Sequence, residues 1–327
     1  MEQKEEENKI VYEKTNQINQ RRIAKLLGFS IVNGAAVITV SYVLYLINQI
    51  VFKKNYKALI IYGILQMHAG FIARKNEVVY KIFSFFDLQN WCNSTKIICE
   101  EKVDKEGVLF CWMPHSFMCF NAWFSRFNEN SPFYGSLLLG SRMSIKTPIF
   151  GSFLQWLGLT GADPDNTQDL MNQRKNVNLV PGGFEEATAS HPKQYRLYIN
   201  DRKGFIKYAL QYGYKIHPVF VFNENKGYKS SDILMNLRLK LNKLKLPGVL
   251  MFSRYISFPE KDIDNVIVVG RHIEMPKIDN PTQQEIDKYH SIYLMRVKQI
   301  FEKNVDKYDP GAELKFWGES KFVRPKL

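Results

Sequence analysis

The chain is 327 residues long, 45% apolar and 14% aromatic, with a formal net charge of +13. Those totals exclude a disordered, collagen-like or disulfide-stapled mini-protein class and allow a substantial hydrophobic core. The positive excess points to an anionic partner, and because no zinc-finger spacing or RNA-binding signature accompanies it, acidic headgroups or a phosphorylated substrate fit better than nucleic acid.

In chain order, residues 1–22 are polar and charge-dense and read as a tail. From Leu26 to Phe52 no residue is charged. A helix needs only about 20 residues to cross the hydrocarbon core, so residues 23–75 are expected to anchor the chain in a membrane. A cleaved signal peptide has a shorter apolar centre, so the anchor is read as retained. A second apolar run, Ala58 to Ala73, follows "KKNYK". A hairpin with both legs in the bilayer and one span plus an interfacial helix both fit. Flanking charge does not choose, because Arg21, Arg22 and Lys25 precede the first run while Lys53, Lys54 and Lys57 follow it.

Residues 76–327 read as one α/β domain. Apolar, β-rich runs at Gly107–Met113, Asn176–Val180, Lys215–Phe222 and Asn265–Gly270 predict buried strands. Between them "DRKGFIKYALQYG" predicts a helix stopped by Gly213, and "GSFLQWLGL" a shorter one. A last helix is predicted with Asn280 as cap, Pro281 in its first turn and a stripe of Ile286, Tyr289, Tyr293, Val297 and Ile300. Strands alternating with helices make a layered α/β fold the natural solution. The cysteines (Cys92, Cys99, Cys111, Cys119) lack C-x-x-C spacing and read as reduced thiols.

Four stretches carry chemistry. "MPHS", Met113 to Ser116, puts His115 at a strand end, where sites gather in open α/β sheets. "VPGGFEEA", Val180 to Ala187, offers the amides of Gly182 and Gly183 beside Glu185 and Glu186. "RKGF", Arg202 to Phe205, opens a helix with cations, against the helix dipole. "GSRMSIKTP" holds Arg142 and Lys146. Singly, each has a bland reading: a core histidine, a turn, surface cations. No H-E-x-x-H or G-x-S-x-G pattern is present, so no metal site is expected and a serine hydrolase is disfavoured.

Together and in order, these stretches resemble the type-2 diacylglycerol acyltransferase family, with its monoacylglycerol and wax-alcohol relatives. "MPHS" aligns with the family's His-Pro-His-Gly block, "PGGFEE" with Pro-Gly-Gly-x-x-Glu, and "RKGF" with Arg-Lys-Gly-Phe. "HPVFVFNENKGY" and the stretch from Val268 to Tyr308 are similar to later family blocks, so the likeness covers roughly residues 80–320. There are two departures: Met113 replaces the first histidine, and Ser116 stands where many members have glycine.

The resemblance implies a glycerolipid-acyltransferase-like mixed sheet flanked by helices, and acyl transfer from acyl-CoA, a co-substrate, to diacylglycerol with no cofactor. It places His115 on the catalytic histidine. Related glycerolipid acyltransferases carry an Asp five residues beyond it, where this chain has Phe120. An imidazole suits removal of an alcohol proton at neutral pH. Glu186 is therefore expected to orient the ring, with Glu185 second, and Gly182 and Gly183 to stabilise the oxyanion. Pro114, Ser116, Phe117, Gly204 and Phe205 are expected around substrate, with Arg142, Lys146, Arg202 and Lys203 on the CoA phosphates. Phe110, Trp112, Phe117, Met118 and Phe120 are expected to line the acyl passage. The family implies the endoplasmic reticulum membrane with a cytosolic domain, and lipid droplets as a second location. A monoacylglycerol or fatty-alcohol acceptor, and a catalytically silent lipid-binding relative, are the alternatives.

Overall fold

A computed structural model of the chain describes residues 10–13, 22–244, 246 and 248–318. Its strands are β1 (Ile10–Glu13), β2 (Ser94–Cys99), β3 (Val108–Met113), β4 (Leu137–Gly140), β5 (Leu159–Gly161), β6 (Val177–Leu179), β7 (Gln194–Tyr198) and β8 (Lys215–Phe222). They continue with β9 (Lys229–Ser230), β10 (Met251–Phe252), β11 (Asp264–Val269), β12 (Ile273–Glu274) and β13 (Glu313–Trp317). The helices are α1 (Arg22–Ile47), α2 (Ala58–Met67), α3 (Glu77–Phe85), α4 (Phe120–Phe124), α5 (Arg142–Lys146) and α6 (Phe150–Trp156). After them come α7 (Pro164–Asn172), α8 (Gly183–Ala189), α9 (Gly204–Tyr212), α10 (Met235–Lys243) and α11 (Gln283–Tyr308).

The central sheet runs β1-β2-β11-β8-β3-β6-β4-β5, with β12 also on β8. Its middle, β8-β3-β6-β4-β5, is parallel, while β11 meets β8 antiparallel and β2 parallel. Helices cover both faces, the mixed α/β architecture expected. Side chains of β3 alternate between two apolar layers. Phe110 and Trp112 join Phe133 and Phe153, whereas Leu109, Cys111 and Met113 join Ile206, Ala209 and Tyr293.

The four predicted strands form, β8 with its expected bounds and β11 one residue earlier than read. Gly213 closes α9 in the left-handed conformation (φ +58°). The cap of α11 differs from the reading. Thr282, not Asn280, accepts from the Glu285 amide, while the Glu285 carboxylate accepts from Thr282 N–H. This reciprocal pair satisfies two otherwise orphaned donors and outcompetes a lone asparagine. Of the expected polar tail, residues 1–9 and 14–21 lie outside the described residues, and Ile10–Glu13 is an edge strand rather than tail, paired antiparallel to β2.

Helix α1 and its continuing π-turn span Arg22–Phe52, 31 residues that by length and composition can cross a membrane. Val37, Ile38, Val40 and Leu44 are each more than half exposed on it. Its base is seated on the domain: Phe29 stacks on Trp91 at 4.9 Å, and Asn33 Oδ1 accepts from the Ser257 hydroxyl at 2.7 Å. A Cβ at Gly28 would stand 2.8 Å from the Phe86 Cβ, so glycine permits that approach.

Candidate active site

Three adjacent parallel strands deliver their following loops to one end of the sheet. β3 leads into His115, β6 into the Gly182-Gly183 turn, and β8 into Glu224. The grouping follows from strand order: residues remote in sequence meet because their strands are neighbours with the same direction.

His115 keeps part of its surface accessible, and burial of the ring lowers its pKa from the ordinary histidine value. Nδ1 lies 2.9 Å from the Ser116 carbonyl and 3.3 Å from Cys119 Sγ. A carbonyl oxygen can only accept, so the ring proton sits on Nδ1 and Nε2 carries the lone pair. The imidazole is thus oriented by main chain. Ser116 makes this possible with φ +50°, the left-handed region, which explains why a glycine suits this position. Its hydroxyl is buried without a hydrogen-bond partner.

The expected Glu186–imidazole dyad is corrected. Glu186 is buried, and its Oε1 accepts from the backbone N–H of His115 at 2.6 Å while Oε2 accepts from Tyr198 N–H at 2.8 Å. Both oxygens are occupied by amides, so Glu186 positions the histidine's main chain rather than its ring. Burial pushes its pKa up to about 7, against those hydrogen bonds and the charge of Arg202. Glu185 also misses the ring, because it accepts from Arg202 Nη2 at 2.7 Å.

Gly182 and Gly183 sit beside His115 through this carboxylate. A Cβ at Gly182 would overlap the Glu186 side chain, 2.0 Å from Oε2, so the glycine makes room for it. The Gly183 amide closes a turn on the Val180 carbonyl at 3.4 Å, so it is directed there and not outward as an oxyanion donor.

Expected substrate contacts divide. Arg202 lies by the glycine turn, paired with Glu185 and over the Tyr198 ring at 4.9 Å. Lys203 pairs with Asp287 at 2.7 Å and Arg142 with Asp163 at 3.1 Å, while Lys146 is exposed. Arg142 and Lys146 follow β4, at the same sheet end but two strands from β3. Pro114 is buried next to His115, and Phe117 is half-buried against Tyr228. Gly204 begins α9 with open space around its Cβ position. Phe205 does not face substrate: it is core, edge-on to Tyr293 at 5.0 Å. Phe110, Trp112 and Phe120 are likewise sealed in the core and do not line a passage, since they face sheet and helix neighbours. Met113, which departs from the family pattern, packs in the layer of Ile206 and Tyr293, with its sulfur 3.7 Å from the Tyr293 hydroxyl.

Glu224 was missed by sequence reading. It is buried and accepts from Asn121 Nδ2 at 2.8 Å. Burial pushes its pKa up to about 7, against hydrogen bonds from Asn121 and the Phe120 amide. Glu186 therefore ties down the start of the His115 loop and Glu224 its end. The signal was an acid after a parallel strand, the same logic that singled out Glu186.

An α/β domain with a main-chain-oriented histidine beside a Gly-Gly turn, at the end of parallel strands, is the class that fold and site define. The chain belongs to the diacylglycerol acyltransferase family, whose model, described as "Diacylglycerol acyltransferase", matches residues 72–316. It is 28% identical over 222 residues to 2-acylglycerol O-acyltransferase 1 of Homo sapiens, covering 61% of this chain and 66% of the relative. It is 29% identical to diacylglycerol O-acyltransferase 2 of Danio rerio (59% and 60% covered) and 27% to diacylglycerol O-acyltransferase 1 of Saccharomyces cerevisiae (75% and 64%). The aligned stretches thus span under two thirds of these relatives' lengths. Among solved structures, the 1-acyl-sn-glycerophosphate acyltransferase PlsC of Thermotoga maritima covers 87% of this chain and 99% of its own at 11% identity and a TM-score of 0.43.

Proposed function

We propose that the chain transfers an acyl group from acyl-CoA to the free hydroxyl of diacylglycerol at a membrane surface. The observation that carries this reading is the Nδ1–Ser116 carbonyl bond of 2.9 Å, which leaves the Nε2 lone pair of a neutral His115 to act as base. The acceptor oxygen attacks the thioester carbonyl carbon as its proton passes to Nε2. The C–S bond then breaks, and the imidazolium returns the proton to the CoA sulfur. Glu186 and Glu224 hold the loop that places the ring, so no carboxylate relay is required. Arg202, beside the glycine turn, is the leading contact for CoA phosphate, with Lys203, Arg142 and Lys146 further out.

Residues 76–327 act as the catalytic domain and residues 23–75 hold it at the bilayer where diacylglycerol dissolves. The endoplasmic reticulum membrane, with this domain on the cytosolic side where acyl-CoA is found, is the location that reading requires. Matches to 2-acylglycerol as well as diacylglycerol acyltransferases favour monoacylglycerol as a second acceptor. The deciding experiment expresses wild type and His115→Ala in yeast lacking neutral-lipid synthesis and supplies their membranes with labelled acyl-CoA. An acceptor panel holds diacylglycerol, 2-monoacylglycerol and a fatty alcohol. Wild type is expected to label triacylglycerol, with loss of 10²-fold or more in the variant at equal abundance; undiminished turnover by His115→Ala would remove the base.

A further inference from the structure

The other end of the sheet gathers side chains that acyl transfer does not use. His217 is the third residue of β8, opposite Phe110 near the start of β3. Glu101 lies just beyond β2, and His272 just before β12. β11 is hydrogen-bonded between β2 and β8 and runs antiparallel to β8, so the ends of β2 and β11 arrive beside the beginning of β8. Ligand atoms of Glu101, His217 and His272 lie within 4.8 Å of one another.

The surroundings are those of an ion site. His217 is buried, with Nδ1 2.9 Å from the Gly270 carbonyl. The carbonyl fixes the proton on Nδ1 and leaves Nε2 free to ligate, as in metal-binding histidines whose other ring nitrogen donates to a carbonyl. His272 meets a carboxylate at each ring nitrogen: Nδ1 is 2.5 Å from Glu101 Oε1, and Nε2 is 3.1 Å from Glu274 Oε2. Lys215 lies 2.7 Å from Asp104 and 3.7 Å from Glu274. Glu101 and Glu274 thus put a carboxylate on each side of the His272 ring, a setting that suits a cation bound by neutral imidazoles.

We propose that Glu101, His217 and His272 form a binding site for a divalent transition-metal ion of the zinc class, which pins together the ends of β2, β8 and β12. Two imidazoles and one carboxylate select zinc over the all-oxygen shells of calcium or magnesium. Zn–N and Zn–O bonds of about 2.0–2.1 Å set the ligand atoms near 3.3 Å apart in a tetrahedron. The His272–Glu101 contact therefore opens slightly, which two half-exposed side chains can accommodate. The ion takes the place of the proton those two groups share, and Glu274 remains as an outer carboxylate. His115 follows the C-terminal end of β3, whereas this cluster lies beside the beginnings of β3 and β8, so the ion acts on the strand ends and not on the reacting lipid.

The test uses the full chain purified in detergent, stripped with chelator, then titrated with Zn²⁺ and, separately, Co²⁺. Wild type is expected to retain zinc in one-to-one proportion, to unfold at higher temperature with it, and to show the visible bands of tetrahedral cobalt. His272→Gln and Glu101→Gln, both at half-exposed positions and so able to fold where a His217 variant can fail, are expected to reduce zinc to background. Glu274→Gln is expected to weaken it about tenfold. Cys99→Ser, a buried thiol at the end of β2 that is not one of the proposed ligands, is expected to bind as wild type. Wild type that holds no stoichiometric zinc, or His272→Gln and Glu101→Gln that hold as much as wild type, overturns the site. Since no acyl transfer is measured, failure of the enzymatic reading leaves this result standing.

Discussion

At the scale of single residues, the site depends on a main-chain bond to one imidazole. Burial lowers the His115 pKa below the ordinary 6.5, so the ring is neutral, and basic, across the physiological range. In the proposed reaction, protonation on the acid side removes the base. The rate is therefore expected to rise with pH through an apparent pKa below 6.5 and to be flat near neutrality, as measured by kcat/KM on membranes at constant ionic strength. An inflection above 6.5 assigned to this group would contradict a desolvated ring. Ser116 offers a second test, since it adopts a left-handed backbone with a buried, unpartnered hydroxyl. Ser116→Gly relieves both and keeps the carbonyl that holds Nδ1. It is expected to raise stability by about 1 kcal/mol, seen as a higher denaturation midpoint, with acyl transfer retained.

At the scale of elements, α11 shows how a segment is specified by its own residues. Ile286, Tyr293, Val297 and Ile300 are buried along one face, as their spacing predicts, and the Thr282–Glu285 capping box sets the start. Thr282→Ala is expected to cost about 1 kcal/mol in chemical denaturation, read as a lower denaturation midpoint. Short strands follow the opposite rule. β4, β5 and β7 span Leu137–Gly140, Leu159–Gly161 and Gln194–Tyr198 and are not marked by periodicity, and among the described residues β7 is held by parallel pairing with β13. Their existence depends on neighbours supplied from far along the chain.

At the scale of the whole molecule, a long apolar helix is seated on the domain that carries the site. Phe29 and Asn33 of α1 join it to Trp91 and Ser257, while Val40 and Leu44 stay exposed. Val40→Lys is expected to weaken retention in membranes, since a lysine at a helix centre costs about 3 kcal/mol on insertion, with little effect on the folded domain. Carbonate extraction reads this directly: the variant is expected in the supernatant where wild type stays in the pellet.

The sequence alone marked the long apolar run of α1, the buried strands β3, β6, β8 and β11, the last helix, and the position of His115 at a strand end, because composition, periodicity and ordered motifs are local properties of the chain. Tertiary structure decided the partners. Glu186 reached the His115 amide instead of its ring, and Glu224 closed the other end of the same loop. Glu101, His217 and His272 came together at the far edge. Those meetings depend on strand order and direction, which long-range pairing sets.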